Sequence, residues 1–240
     1  MNKHRKQIGK KWAKTVFKAI GFLILIVWTI FPIYWMFSLA IRGKVELQAK
    51  LSLLPHSFTL SHFVELFTQK DFGQALFNSI LITAISLVIA LICAVPCSYI
   101  FSRKRFRFGL QKPAMFWVLL TRVLPPIAFA IPLYTMMNRM GLINTRVPII
   151  ASHVLLNVPF IIWFLISFFT VLPVDLEESG KVDGAGEFTI FLRVVLPLVT
   201  PGLTAVTILS FMTSWNEYLY GVIFVQSPDR FTIPLTLATL

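Results

Sequence analysis

Five apolar runs of about 20 residues or more, separated by polar segments, leave this chain one medium in which to fold, a lipid bilayer. They lie at residues 19–41, 75–101, 114–137, 147–172 and 198–225. An α-helix rises about 1.5 Å per residue, so each run is long enough to cross about 30 Å of hydrocarbon. Hydrocarbon offers the backbone no hydrogen-bond partner, which makes helices the only spanning structure that runs of this length can form. The predicted fold is therefore all-α and integral to the membrane, a polytopic bundle of five transmembrane helices. Composition agrees: 57% hydrophobic residues against 13% charged is more apolar material than a water-soluble core of 240 residues buries. The first run is too long for a secretory signal and lacks its small-residue cleavage site, so it reads as a retained anchor.

The bases set the orientation. Seven of the 22 Lys and Arg lie in residues 1–18 and five more in 102–113, so alternate crossing from a cytoplasmic N-terminus puts the two most basic short segments inside. This gives a basic cytoplasmic N-terminus (1–18), a first span (19–41), an extracytoplasmic loop (42–74), a core of four spans (75–225) containing a cytoplasmic loop (173–197), and an extracytoplasmic segment (226–240). The net charge of +12 is accounted for by loops that face a membrane, and no nucleic-acid partner is expected. Cys93 and Cys97, four apart inside an apolar run, read as small hydrophobes, and no metal site is expected.

The loop 173–197 is unlike the rest. It holds five acids and two bases, bracketed by Pro173 and Pro197. Asp175 and Glu177 suit the first turn of a short helix, where carboxylates meet the positive end of the dipole, and that helix should fade near Lys181. Asp183 and Gly184 form a turn dipeptide, with Asp183 placed to cap a second helix. In that helix Phe188, Phe191, Leu192 and Val195 recur at helical spacing and predict one apolar stripe. On periodicity alone the stripe fits a bilayer surface as well as a docking face.

The arrangement of the residues goes further. "ESGKVDGA", with nine residues between Gly184 and "VVLP", resembles the cytoplasmic "EAA" loop of ATP-binding cassette importer permeases. Glu178 stands at the E, Ser179 and Gly180 replace the two alanines with other small residues, Gly184 is the G, Val194 replaces Ile, and Leu196 and Pro197 match. "LPPIAFAIPLY", "MGLINT" and "SWNEY" look like the smaller permease subunit of maltose-type carbohydrate importers. The resemblance implies a type I importer permease fold and a prokaryotic plasma membrane. It makes the loop a coupling helix in the groove of a separate cytoplasmic ATPase dimer, with Glu178, Ser179, Gly180, Asp183, Gly184, Ala185, Phe188, Leu196 and Pro197 as coupling residues. Gly184 would supply the bend, and Gly180 and Ala185 the close approach of the partner's backbone. A second permease subunit, read as a different chain, an extracytoplasmic solute-binding protein and membrane lipid are the other implied partners. ATP and Mg would sit on the ATPase, and no cofactor is expected on this chain, where "GKV" at 180–182 lacks the upstream glycine and the hydroxyl of a phosphate loop. The family commonly has a sixth span, so a chain stopping at Leu240 reads as a shortened form of a longer permease.

Polar residues inside spans are costly and mark candidate sites. Arg122, whose insertion costs at least about 2.5 to 3.5 kcal/mol, fits either a translocation pathway or a tie between helices, and Pro125, Pro126 and Pro132 should break the span beyond it. Glu217 and Asn216, flanked by Trp215, Tyr218 and Tyr220, fit sugar hydroxyls near the outer mouth or an interfacial aromatic belt. On straight helices Arg122 and Glu217 differ by about 15 Å in depth, so no direct pair is predicted. Asn157 and His153 read more readily as packing polar groups, Asn157 also being a weaker pathway candidate. The favoured function is import of a sugar or oligosaccharide. The same role for an amino acid, a glycerol phosphate or a polyamine is the runner-up, ahead of a membrane enzyme using Arg122, His153 and Glu217 and of a passive channel.

Overall fold

The computed structural model describes residues 2–48, 52–69, 71–103 and 111–239; most of the basic segment 102–113 lies outside them. Two compact units divide the chain, 1–70 and 71–240. In the first unit α1 (Asn2–Ala40) extends the expected span backwards, because nothing between Asn2 and Ala19 stops a helix. The expected loop is not featureless, since α2 (Lys44–Gln48) and α3 (Ser61–Gln69) form within it. Arg42 organises it. Its side chain is fully buried, donates to Ser38 Oγ at 3.0 Å and Ser52 O at 2.6 Å, and lies 3.5 Å from Glu46 Oε1. Glu46 in turn accepts from the amides of His56 (3.0 Å) and Ser57 (2.8 Å) and from the Ser57 hydroxyl.

The second unit is built on α4 (Phe72–Ser102) and α7 (Val147–Val171), parallel neighbours that pair along their length. Both are apolar and long enough to span, and small residues where they meet, Ala90 and Ala94, let the backbones close up around Ile161, Leu165 and Phe169. The span predicted over 114–137 is two helices, α5 (Gln111–Val123) and α6 (Pro126–Arg139), bent by 100° at Leu124–Pro125. Pro125 and Pro126 break it as their chemistry requires, whereas Pro132 sits inside α6 without ending it.

The fifth span also departs from expectation. It does not run straight from 198 to 225: α11 (Thr200–Trp215) begins after a 76° bend, with Pro201 in its first turn, and stops at Trp215. The short α12 (Leu219–Phe224), a 3₁₀ turn (Pro228–Arg230) and α13 (Ile233–Ala238) follow. Gly202 explains why α11 lies so close to α7, since a Cβ there would fall 2.5 Å from the Phe168 ring.

Candidate functional site

Between α7 and α11 the chain makes α8 (Asp175–Val182), α9 (Glu187–Ile190), a π-helical turn (Phe191–Val195) and α10 (Leu196–Leu198). Three acids, Asp175, Glu177 and Glu178, occupy the first turn of α8, where the helix dipole favours them. The helix ends in a double bond pattern around a left-handed glycine: Gly184, at φ +80°, donates its N–H to Lys181 O (3.0 Å), and Ala185 donates to Gly180 O (3.0 Å). Gly184 therefore makes the bend predicted for it. Asp183 does not cap the second helix. It is the closing residue of α8, and Gly186 precedes α9 with no side-chain cap. Lys181 reaches across the bend to Glu187 at 3.1 Å.

The predicted apolar stripe is out of phase with the structure. Phe191 and Val195 are buried as expected, but Phe188 and Leu192 are exposed, and Ile190 and Val199 complete the inward face instead. The π turn is the cause. Its Leu196 N–H bonds to Phe191 O, one residue further back than in an α-helix, which re-registers everything before it. Gly180 meets its neighbour within the chain, because a Cβ there would lie 3.0 Å from Ile190 Cγ1, and Ala185 packs at the edge of the same core. Glu178, Ser179, Phe188 and Pro197 face outward, as does Val182, while Leu196 is half-buried. Val182 (88% exposed) and Phe188 (74%) flank the glycine bend as an uncovered apolar pair.

Sequence reasoning missed the residue that anchors this loop. Glu177 is buried, with Oε1 2.6 Å from Arg103 Nε, a close charge contact rather than an aligned hydrogen bond, and Oε2 accepting from the Tyr99 hydroxyl at 2.8 Å. Arg103, just past the end of α4, also donates from Nη1 to Phe169 O and Leu172 O, both at 3.1 Å, satisfying carbonyls at the C-terminus of α7. The Tyr99 ring lies 5.6 Å from the guanidinium and packs on Phe169 and Phe191. A buried partner for Glu177 was signalled only by an acid beside a helix start and a basic residue after a long apolar helix.

The candidate pathway residues are not gathered into one site. Glu217 turns inward, with its side chain 9% exposed: Oε2 lies 3.5 Å from His153 Nε2, and Oε1 accepts from the Tyr220 N–H at 2.9 Å. It is therefore neither a solvated belt acid nor a counter-ion of Arg122. Tyr220 donates its hydroxyl to Pro126 O at 2.8 Å, tying the short α12 to the break in the third span. Asn157 donates to Ser214 Oγ at 2.7 Å, the helix tie expected of a buried amide. His153 Nδ1 and Asn157 Oδ1 have no hydrogen-bond partner among the described residues. Asn216 is exposed and bonds back to Met212 O at 2.8 Å. Arg122 is exposed, its guanidinium 4.9 Å from the Phe160 ring centre. The trio Arg122, His153 and Glu217 is thus split, with only the last two in contact. No group of three metal-ligating side chains occurs among the described residues.

The opposite end of α4 and α7 is held by amides. Asn78, fully buried, donates to Asp229 O and Phe231 O at 2.9 Å and accepts from Arg146 Nε at 3.0 Å. Asn144, at φ +63°, accepts from the amides of Gln226 and Ser227 at 3.0 Å, so the "MGLINT" segment clamps the stretch after α12.

Residues 87–240 match the family of binding-protein-dependent transport system inner membrane components. The diacetylchitobiose uptake system permease protein NgcG of Streptomyces coelicolor is 29% identical over 226 residues, 92% of this chain and 74% of that protein. The arabinooligosaccharides transport system permease protein AraQ of Halalkalibacterium halodurans is 30% identical over 230 residues, 92% of this chain and 79% of that one. In fold, the chain superposes on a bacterial ABC transporter involved in import of the acidic polysaccharide alginate. That match has a TM-score of 0.78 at 23% identity and covers 95% of this chain and 79% of the other.

Proposed function

The chain belongs to the family of binding-protein-dependent transport system inner membrane components, and on that premise we propose that it is a permease subunit of an ATP-driven importer for a sugar or oligosaccharide. The observation that carries this reading is the α8–Gly184–α9 bend. It is pinned to the bundle on one side by Ile190, Phe191 and Val195, and it offers Val182 and Phe188 uncovered on the other. An apolar pair beside acids, raised on a fixed bend, is what a groove in a separate ATPase subunit would grip. The sugar assignment draws on relatives named for diacetylchitobiose and arabinooligosaccharides.

In this reading the loop and the N-terminus face the cytoplasm, a second permease subunit completes the central cavity, and a solute-binding protein delivers cargo on the other side. ATP and Mg belong to the ATPase subunit. Arg122 and Asn216, both uncovered, are the members of the polar set placed to meet solute. Asn157 and Glu217 brace α7 against α11 and the turn that follows it.

The test is Gly184→Val in the full complex reconstituted with its ATPase, companion permease and binding protein. A side chain at φ +80° costs about 1 to 2 kcal/mol, more for a branched one, and the bend should open. Uptake of labelled diacetylchitobiose or arabinotriose per ATP hydrolysed is expected to collapse. Wild-type uptake by the variant would count against the coupling role. Accumulation of glutamate, glycerol phosphate or spermidine in place of either sugar would move the cargo to another class.

A further inference from the structure

The link between α7 and α8 is short, Leu172 to Val174, with Pro173 at its centre. A helix attached only there could swing about one point, and a push on it would be absorbed by the swing. The structure supplies a second attachment one turn along. Glu177, in the first turn of α8, is held at 2.6 Å by Arg103 at the end of α4, and the same guanidinium bonds Phe169 O and Leu172 O at the end of α7. Tyr99, 78 residues before Glu177, holds the other carboxylate oxygen and packs against Phe169. The side chains of Arg103 and Glu177 are 8% and 2% exposed, so the contact lies away from the screening of bulk water.

We propose that Arg103, Glu177 and Tyr99 are positioning residues that convert the α8–α9 loop from a hinged arm into a lever fixed at two points, so that its displacement is carried into α4 and α7 together. This rests on the coupling role proposed for the loop. The charge pair does more than stabilise the chain. It closes a three-way contact among the C-terminal end of α4, the C-terminal carbonyls of α7 and the N-terminal turn of α8. These are the two long paired helices of the unit and the helix that would receive the push. Removing the charge from Glu177 would leave α8 tethered at Leu172–Val174 and by the packing of Ile190 under Gly180.

The experiment compares wild type, Glu177→Gln, Glu177→Asp and Tyr99→Phe in proteoliposomes containing the complete complex. Assembly is read by co-purification of the ATPase subunit, and coupling as labelled sugar taken up per ATP hydrolysed, with diacetylchitobiose and arabinotriose as probes. Glu177→Gln is expected to assemble and to lose about tenfold in uptake per ATP, within the range of measured coupling energies. Tyr99→Phe, which keeps the ring and loses one hydrogen bond, should lose roughly twofold. Glu177→Asp, which keeps the charge, should recover part of what Glu177→Gln loses. An assembled Glu177→Gln complex with the wild-type ratio would overturn the proposal. Should Glu177→Gln fail to assemble, Tyr99→Phe decides, and an unchanged ratio there overturns it equally. Failure of the wild-type complex to take up either sugar in response to ATP would instead refute the function from which the proposal starts.

Discussion

Arg42 and Arg103 occupy the same local setting in the two units. Each follows the C-terminus of a long apolar helix, is buried, lies over an aromatic ring of that helix (Trp35 at 5.4 Å, Tyr99 at 5.6 Å) and meets a glutamate from a short helix. The difference is reach. Arg42 meets Glu46 four residues on, at 3.5 Å, and Glu46 takes most of its hydrogen bonds from His56 and Ser57. Arg103 meets Glu177 from across the core sequence, at 2.6 Å, with carbonyls of a third helix on the same guanidinium. One arginine orders a loop, and the other joins three helices. Removing an equivalent charge should therefore do unequal damage.

The largest effect is expected from Arg103→Met. It leaves the Glu177 carboxylate buried without its cation, a loss of about 3 to 5 kcal/mol when one partner of a buried pair is deleted. The measurement is the thermal unfolding midpoint in detergent. Arg42→Met should lower that midpoint less, because Glu46 keeps the two amides and the Ser57 hydroxyl, and equal shifts would break the comparison.

The smallest effect is one of pH. The Ser57 hydroxyl first, then the His56 amide, with lesser help from the Ser57 amide and Arg42, outweigh the opposing cost of burial and hold the Glu46 carboxyl at about 2, down from 4.5. A carboxyl with a depressed folded value contributes stability that is complete above its unfolded value and lost as pH falls toward the folded one. Protection of the His56 and Ser57 amides, corrected for intrinsic exchange, should hold above about pH 4.5 and decline toward pH 2. Glu46→Gln should abolish that decline, and a decline that persists in the variant would remove Glu46 as its cause.

What was legible in the sequence was local. Pro125 and Pro126 announced the break in the third span because proline acts on its own turn, and Gly184 announced the bend because a left-handed position selects glycine. Asp183 was assigned to the wrong helix, since an Asp-Gly pair serves the end of one helix as readily as the start of the next. The stripe slipped because five residues of π winding leave no mark in an apolar run. Depth arithmetic put Glu217 near a mouth by assuming one straight span, whereas the helix stops at Trp215 and the carboxylate folds back to His153. Arg103 sat in a basic run that served only to orient the chain, and nothing local ties it to Glu177. The helices could be read from periodicity, but the contacts that join them depend on residues far apart in sequence.

The π turn at Phe191–Val195 has a corollary for how such a loop can be aimed. It holds one residue beyond an α-helical path, so trimming a single residue there would let the helix close up to plain α-winding while the segments on either side keep nearly their present orientation. Val182 and Phe188 would then point much as they do now, with α11 undisturbed. A single-codon deletion is thus tolerated here without re-aiming the protrusion, whereas one in ordinary α-winding would swing it by about 100°.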